Sequence, residues 1–148
     1  LISFHIGVDE VDRGQFNEAR ETDFATGCCL LISREVVERV GTLDNRFFLY
    51  SEDVDYSLRV KRAGLKICYC PTSLVYHKIA ASTGGVGSQL QQYYQTRNRL
   101  LLSLKHGWGK RKLTSAHLAL RLLIYGNPSE RKAVLDLIKS NLGKQSYV

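Results

Sequence analysis

The sequence predicts an α/β fold: short strands and helices over residues 1–80, then three helices over residues 88–142. Three observations predict it. Short apolar runs bounded by turn residues recur in the first part, as buried strands do. Apolar residues at helical spacing take over in the second part. The small, glycine-rich segment Ala80–Ser88 (AASTGGVGS) separates the two, and it sets a boundary that leaves domains of 1–87 and 88–148.

Each element has its own signal. Leu1–Val8 has the composition of a strand, and the polar stretch Asp9–Asp23 reads as loop. Thr26–Ser33 (TGCCLLIS) is an apolar run suited to a buried strand. Ser33 is placed to cap a helix over Arg34–Val40, which Gly41 stops. Ser51 is the expected cap of a helix from Glu52 to Ala63. Glu52, Asp53 and Asp55 crowd its first turn, where the helix dipole favours acids, and Gly64 is ready to end it. Lys66–Cys70 and Ser73–Lys78 read as strands separated by Pro71 and Thr72. Past the boundary, helices are expected over Ser88–Leu104, Leu113–Tyr125 and from Pro128 to about Leu142, with Pro128 in a first turn.

Charge is unevenly distributed. Residues 1–55 hold 5 Lys/Arg against 12 Asp/Glu, whereas residues 56–148 hold 16 against 2. The second part is therefore expected to face an anion: nucleic acid, anionic lipid or a diphosphate. No zinc finger, aromatic RNP-type motif or G-x-x-G clamp is present, which argues against nucleic acid as the partner. Cys28-Cys29 and Cys68-x-Cys70 lack the C-x2-C zinc spacing, lie in apolar runs and are expected as buried free thiols, with a shared zinc or a disulfide as the alternative. Free thiols fit a reducing, cytoplasmic setting. No apolar stretch is long enough to span a membrane.

The informative stretch runs from Thr26 to Leu101. It reads TGCCLLISREVVERVGTLDNRFFLYSEDVDYSLRVKRAG, then KICYCPTSLVYHK, then YYQTRNRLL. This ordered series resembles the C-terminal half of the catalytic domain of inverting family 2 glycosyltransferases, the rhamnosyltransferase-like members above all. The resemblance covers roughly residues 10–105. It implies part of a GT-A sheet, the Rossmann-like fold of nucleotide-diphospho-sugar transferases, with C-terminal helices. It also implies sugar transfer from a nucleotide sugar to a glycan or lipid-linked acceptor in cell-surface polysaccharide synthesis. No methionine occurs, and we expect the nucleotide-binding half, with its metal-binding D-x-D, to precede Leu1.

Such a reaction needs a carboxylate to take the proton of the attacking hydroxyl. The resemblance puts that role on Asp53, with Glu52 and Gly27 at the acceptor; Asp55 is expected to brace the loop with Arg59 at i+4. On spacing alone, the three acids do no more than complement a helix dipole. His77 is implied as one ligand of a divalent metal, Mn²⁺ or Mg²⁺; a structural histidine is the plainer alternative. Arg97, beside Asn98, either faces the diphosphate leaving group or belongs to a basic helix face. Ser82–Gly87 is either a lid over bound donor or a plain linker.

Trp108 sits among Lys105, Lys110, Arg111 and Lys112, next to the helix Leu113–Tyr125. That composition suggests peripheral contact with anionic lipid at the inner face of the cell membrane; the alternative is an ordinary amphipathic helix with a solvated face. A basic nucleic-acid- or membrane-binding module without catalysis is the competing account of the chain as a whole.

Overall fold

The computed structural model describes residues 4–77, 85 and 87–146. Its elements are β1 (Arg20–Thr22), α1 (Arg34–Val40), α2 (Glu52–Arg62), β2 (Ile67–Tyr69), α3 (Gln89–His106), α4 (Lys110–Tyr125) and α5 (Pro128–Ile138). They fall into two compact units, one of Ile2–Leu43 with Asp53–His77, the other of Asp44–Glu52 with Lys78–Val148 and Leu1.

In the first unit, β1 and β2 pair antiparallel with Arg20 opposite Tyr69 and Thr22 opposite Ile67. The Arg20 guanidinium lies over the rings of Phe16 and Tyr69, and Lys66 pairs with Glu21 at 3.2 Å. α1 starts and stops as expected: Ser33 accepts from the Val36 N–H, and Gly41 takes φ 84°, a conformation open to glycine. α2 packs by a polar scheme. Asp55 is fully buried and accepts from Arg59 at 2.9 Å. Arg59 also donates to the carbonyls of Val40 and Thr42, and Tyr56 donates to that of Gly41. Arg59 thereby satisfies the last carbonyl of α1, that of Val40, and the Thr42 carbonyl just beyond the helix.

The second unit is helical. α5 packs against α3 and α4, and α3 also packs against α4. Tyr93, Tyr94 and Ala133 form its buried centre, with Leu49, Tyr50 and Leu90 against them. Tyr93 donates to Asp136 at 2.8 Å, and the Tyr94 hydroxyl accepts from the Gln145 N–H at 2.9 Å. α5 opens with a full capping box between Asn127 and Glu130, with Pro128 at its first turn.

Several expectations need correction. Thr26–Ser33 and the described residues of Ser73–Lys78 are not strands, and neither are residues 4–8. Strand assignment requires a ladder partner as well as apolar residues, and among the described residues only β1 and β2 find one. Leu31 is accordingly left 98% exposed. The polar stretch taken for loop contains β1. All four cysteines are free but exposed, because the runs that carry them are not buried in a sheet. Ser51 has φ 67°, outside the extended conformation of an N-cap. The expected lid, 82–87, lies outside the described residues except for Gly85 and Gly87.

Candidate functional site

The half-buried Asp53 stands in the first turn of α2, and both of its carboxylate oxygens are held by backbone N–H groups. Oδ2 accepts from Gly27 at 2.9 Å and Oδ1 from Val54 at 2.8 Å. Ser57, one turn on, accepts from the Ala25 N–H at 3.3 Å, so one face of α2 fixes the 25–27 loop at two points. Asp53 and Gly27, proposed from the sequence as base and acceptor contact, are thus brought together across 26 positions. An ionised carboxylate has about four lone-pair sites. The two N–H bonds use two and leave one on each oxygen.

Asp55, two residues on, faces the other way. Its ion pair with Arg59 is the bracing contact expected at i, i+4. Arg59 therefore does not compete for Asp53. Glu52 is half-buried at the first position of α2. His77 is exposed at the end of segment 73–77, which has no regular secondary structure. Among the described residues no three His, Cys, Asp or Glu side chains gather where a metal ion would be held. One imidazole does not make a metal site.

Arg97 has a different task from the one considered for it. It is completely buried. Nε donates to Asn98 Oδ1, Nη1 to the Gly143 carbonyl and the Tyr93 hydroxyl, and Nη2 to the carbonyls of Arg46 and Phe47. Its plane sits over the rings of Tyr94 and Tyr93, at 4.8 and 5.4 Å. All five donors are engaged. A diphosphate would have to displace protein carbonyls to reach them. Tyr93 and Tyr94, one turn before Arg97, were the sequence signal for a stacked, buried guanidinium.

Asn98 is the residue that sequence reasoning left without a role. It is fully buried, and its Nδ2 donates to the carbonyls of Phe47, Leu49 and Tyr50 at 2.7, 2.7 and 2.9 Å. The turn it clamps is strained: Phe48, Tyr50 and Ser51 have φ of 60°, 66° and 67°. Left-handed backbone at such residues costs on the order of 1 kcal/mol each and persists only where the surroundings over-determine it. Arg97 and Asn98 supply that constraint on the turn that leads into Glu52.

Residues 4–101 match the model of the family described as Glycosyltransferase like family 2. N-acetylglucosaminyl-diphospho-decaprenol L-rhamnosyltransferase of Mycobacterium tuberculosis is 35% identical over 95 residues, which are 64% of this chain and 31% of that protein. Low-salt glycan biosynthesis hexosyltransferase Agl10 of Haloferax volcanii is 31% identical over 90 residues, 61% of this chain and 29% of that one. Rhamnosyltransferase WbbL of Escherichia coli is 27% identical over 79 residues, 52% and 30% of the two chains. The matched segments thus span about a third of these relatives' length. No solved structure matches the chain.

Proposed function

The chain belongs to glycosyltransferase-like family 2, and from that premise we propose that it forms the acceptor-side, base-bearing part of an inverting glycosyltransferase. The substrates are a nucleotide sugar and a glycan or lipid-linked acceptor, in cell-surface polysaccharide synthesis. The names of the relatives support this, since they are rhamnosyl- and hexosyltransferases. We read α1, α2 and the β1–β2 pair as part of a GT-A-type domain, with residues 1–87 contributing to it and 88–148 forming a C-terminal helical region. A cytoplasmic location fits the four free thiols.

The observation that carries the reading is the pair of backbone N–H bonds that orient the Asp53 carboxylate. In the proposed step, the acceptor hydroxyl oxygen attacks the anomeric carbon. The bond from that carbon to the diphosphate breaks on the opposite side, which inverts the centre. The hydroxyl proton passes to Asp53, and the diphosphate leaves with the bonding pair. Holding base and nucleophile in line contributes by orientation as well as by proton transfer. Glu52 is proposed to bind the acceptor, with Gly27 fixing Asp53 beside it. His77 is proposed as a single ligand to a divalent metal whose other ligands come from outside residues 1–148.

Asp53→Asn in the full-length protein tests the proposal, because it keeps the shape and removes the proton acceptor. Turnover is expected to fall about 10²-fold or more, with donor KM little changed. Near-normal turnover would make Asp53 structural and move the base to Glu52.

A further inference from the structure

We propose that the outward face of α4 is a docking surface for an anionic lipid bilayer. This surface is independent of the transfer reaction and stands or falls without it.

α4 has two apolar faces, where a helix lying on a globular unit needs one. The inner face is accounted for. Leu118, Ala119 and Leu122 are half-buried, and Ser115 meets Ser103 of α3 at 2.6 Å. The outer face carries Leu113, Leu120 and Ile124, which are 72%, 57% and 53% exposed. Their spacing of seven and then four residues aligns them in one stripe, nearly opposite Ser115. The stripe is about 16 Å long at the helical rise.

Charge identifies the occupant. Lys110, Arg111 and Lys112 fill the first turn of α4 and Arg121 lies further along, while no Asp or Glu occurs from residue 56 to 129. Three cations in a first turn oppose the helix dipole, and no side chain caps that end. An anionic surface alongside offsets both. The nearest acid in sequence, Glu130, accepts from the Asn127 backbone in the capping box. A second copy of the chain would bring one acid-free cationic face against another, which like charges oppose. Trp108, just before the helix, is 83% exposed, where an amphipathic ring suits the headgroup boundary. No helix among the described residues is long and apolar enough to cross a membrane, so this contact is peripheral.

Trp108 is the only tryptophan in residues 1–148 and so a native reporter for that chain. Residues 1–148 are to be mixed with vesicles of phosphatidylcholine alone, or with about one-third phosphatidylglycerol. The full-length protein is assayed in parallel by co-sedimentation. Binding to the anionic vesicles is expected, weakening as salt rises, with the Trp108 emission moving to shorter wavelength. Replacing Lys110, Arg111 and Lys112 by Gln should weaken it about 10²-fold. Leu120→Ser with Ile124→Ser should weaken it about tenfold or more. All these side chains are exposed, so the fold is retained, which circular dichroism checks. Equal binding to neutral vesicles, absent binding, or binding unchanged in both variants would overturn the proposal. So would a dimer that Leu120→Ser with Ile124→Ser dissolves while vesicle binding persists, which would make a second copy the occupant.

Discussion

Asn98 shows how much one buried side chain can hold. Three carbonyls of a strained turn converge on its Nδ2. Asn98→Ala removes the donor and leaves buried acceptors behind, so a loss of about 2–3 kcal/mol in denaturant unfolding is expected. Asn98→Asp keeps the volume, replaces the donor with an acceptor and should be no milder. A loss within about 0.5 kcal/mol for both, the scale of an ordinary surface change, would show that the turn holds itself. Asp44 makes a prediction in pH. The hydrogen bond from Arg46 outweighs burial and, with the bond from Lys105, holds the Asp44 carboxyl far below the usual carboxylate range. Burial works to raise the Asp136 carboxyl, but bonds from Tyr93, Lys132 and Asn141 leave it lowered too. A carboxyl lowered by folding contributes its stability above the unfolded-state value, about pH 4, and loses it as pH falls toward the folded one. Asp44→Asn should therefore make acid unfolding less steep below about pH 4, as followed by circular dichroism. An unchanged acid limb would show the Arg46 and Lys105 contacts to be incidental.

At the scale of elements, α5 offers the cleanest test. The Asn127 side chain accepts from the Glu130 N–H at 3.0 Å, and Glu130 returns the bond at 2.8 Å. Asn127→Ala should cost about 1 kcal/mol and speed hydrogen exchange in the first turn of α5. Unchanged exchange there would mean that Pro128 and packing alone set the start. The helices were legible in sequence because caps, glycine stops and a 3.6-residue period are local signals: Ser33 and Gly41 bound α1 as expected. The strands were not, because a ladder depends on a partner elsewhere in the chain. Three-residue strands such as Arg20–Thr22 are too short to show a period, and an apolar run such as 26–33 looks the same with or without a neighbour. The site was legible by halves. Asp53 and Gly27 emerged from an ordered series of motifs, and the bond between them needed coordinates. The burial of Arg97 was not legible, because a run of basic letters does not say which of them is inside.

For the molecule as a whole, the described residues gather no metal-holding group, and Arg97 is committed to protein carbonyls. Residues 1–148 by themselves should therefore bind nucleotide sugars with Mn²⁺ no tighter than about 1 mM by calorimetry. Micromolar binding would put the donor site within this chain and reopen the assignments of His77 and Arg97. The exposed cysteines carry a consequence of another kind. Cys28, Cys29, Cys68 and Cys70 all reach solvent, and the Thr72 hydroxyl, at 3.3 Å from Cys70 Sγ, lowers the pKa of that thiol. A larger thiolate fraction makes Cys70 the first to react. Stored in air, separate copies should become covalently joined through Cys70, and a non-reducing gel would show a dimer band that reductant collapses. The same thiol is a ready attachment point for a maleimide dye, so the chain can be labelled without an introduced cysteine.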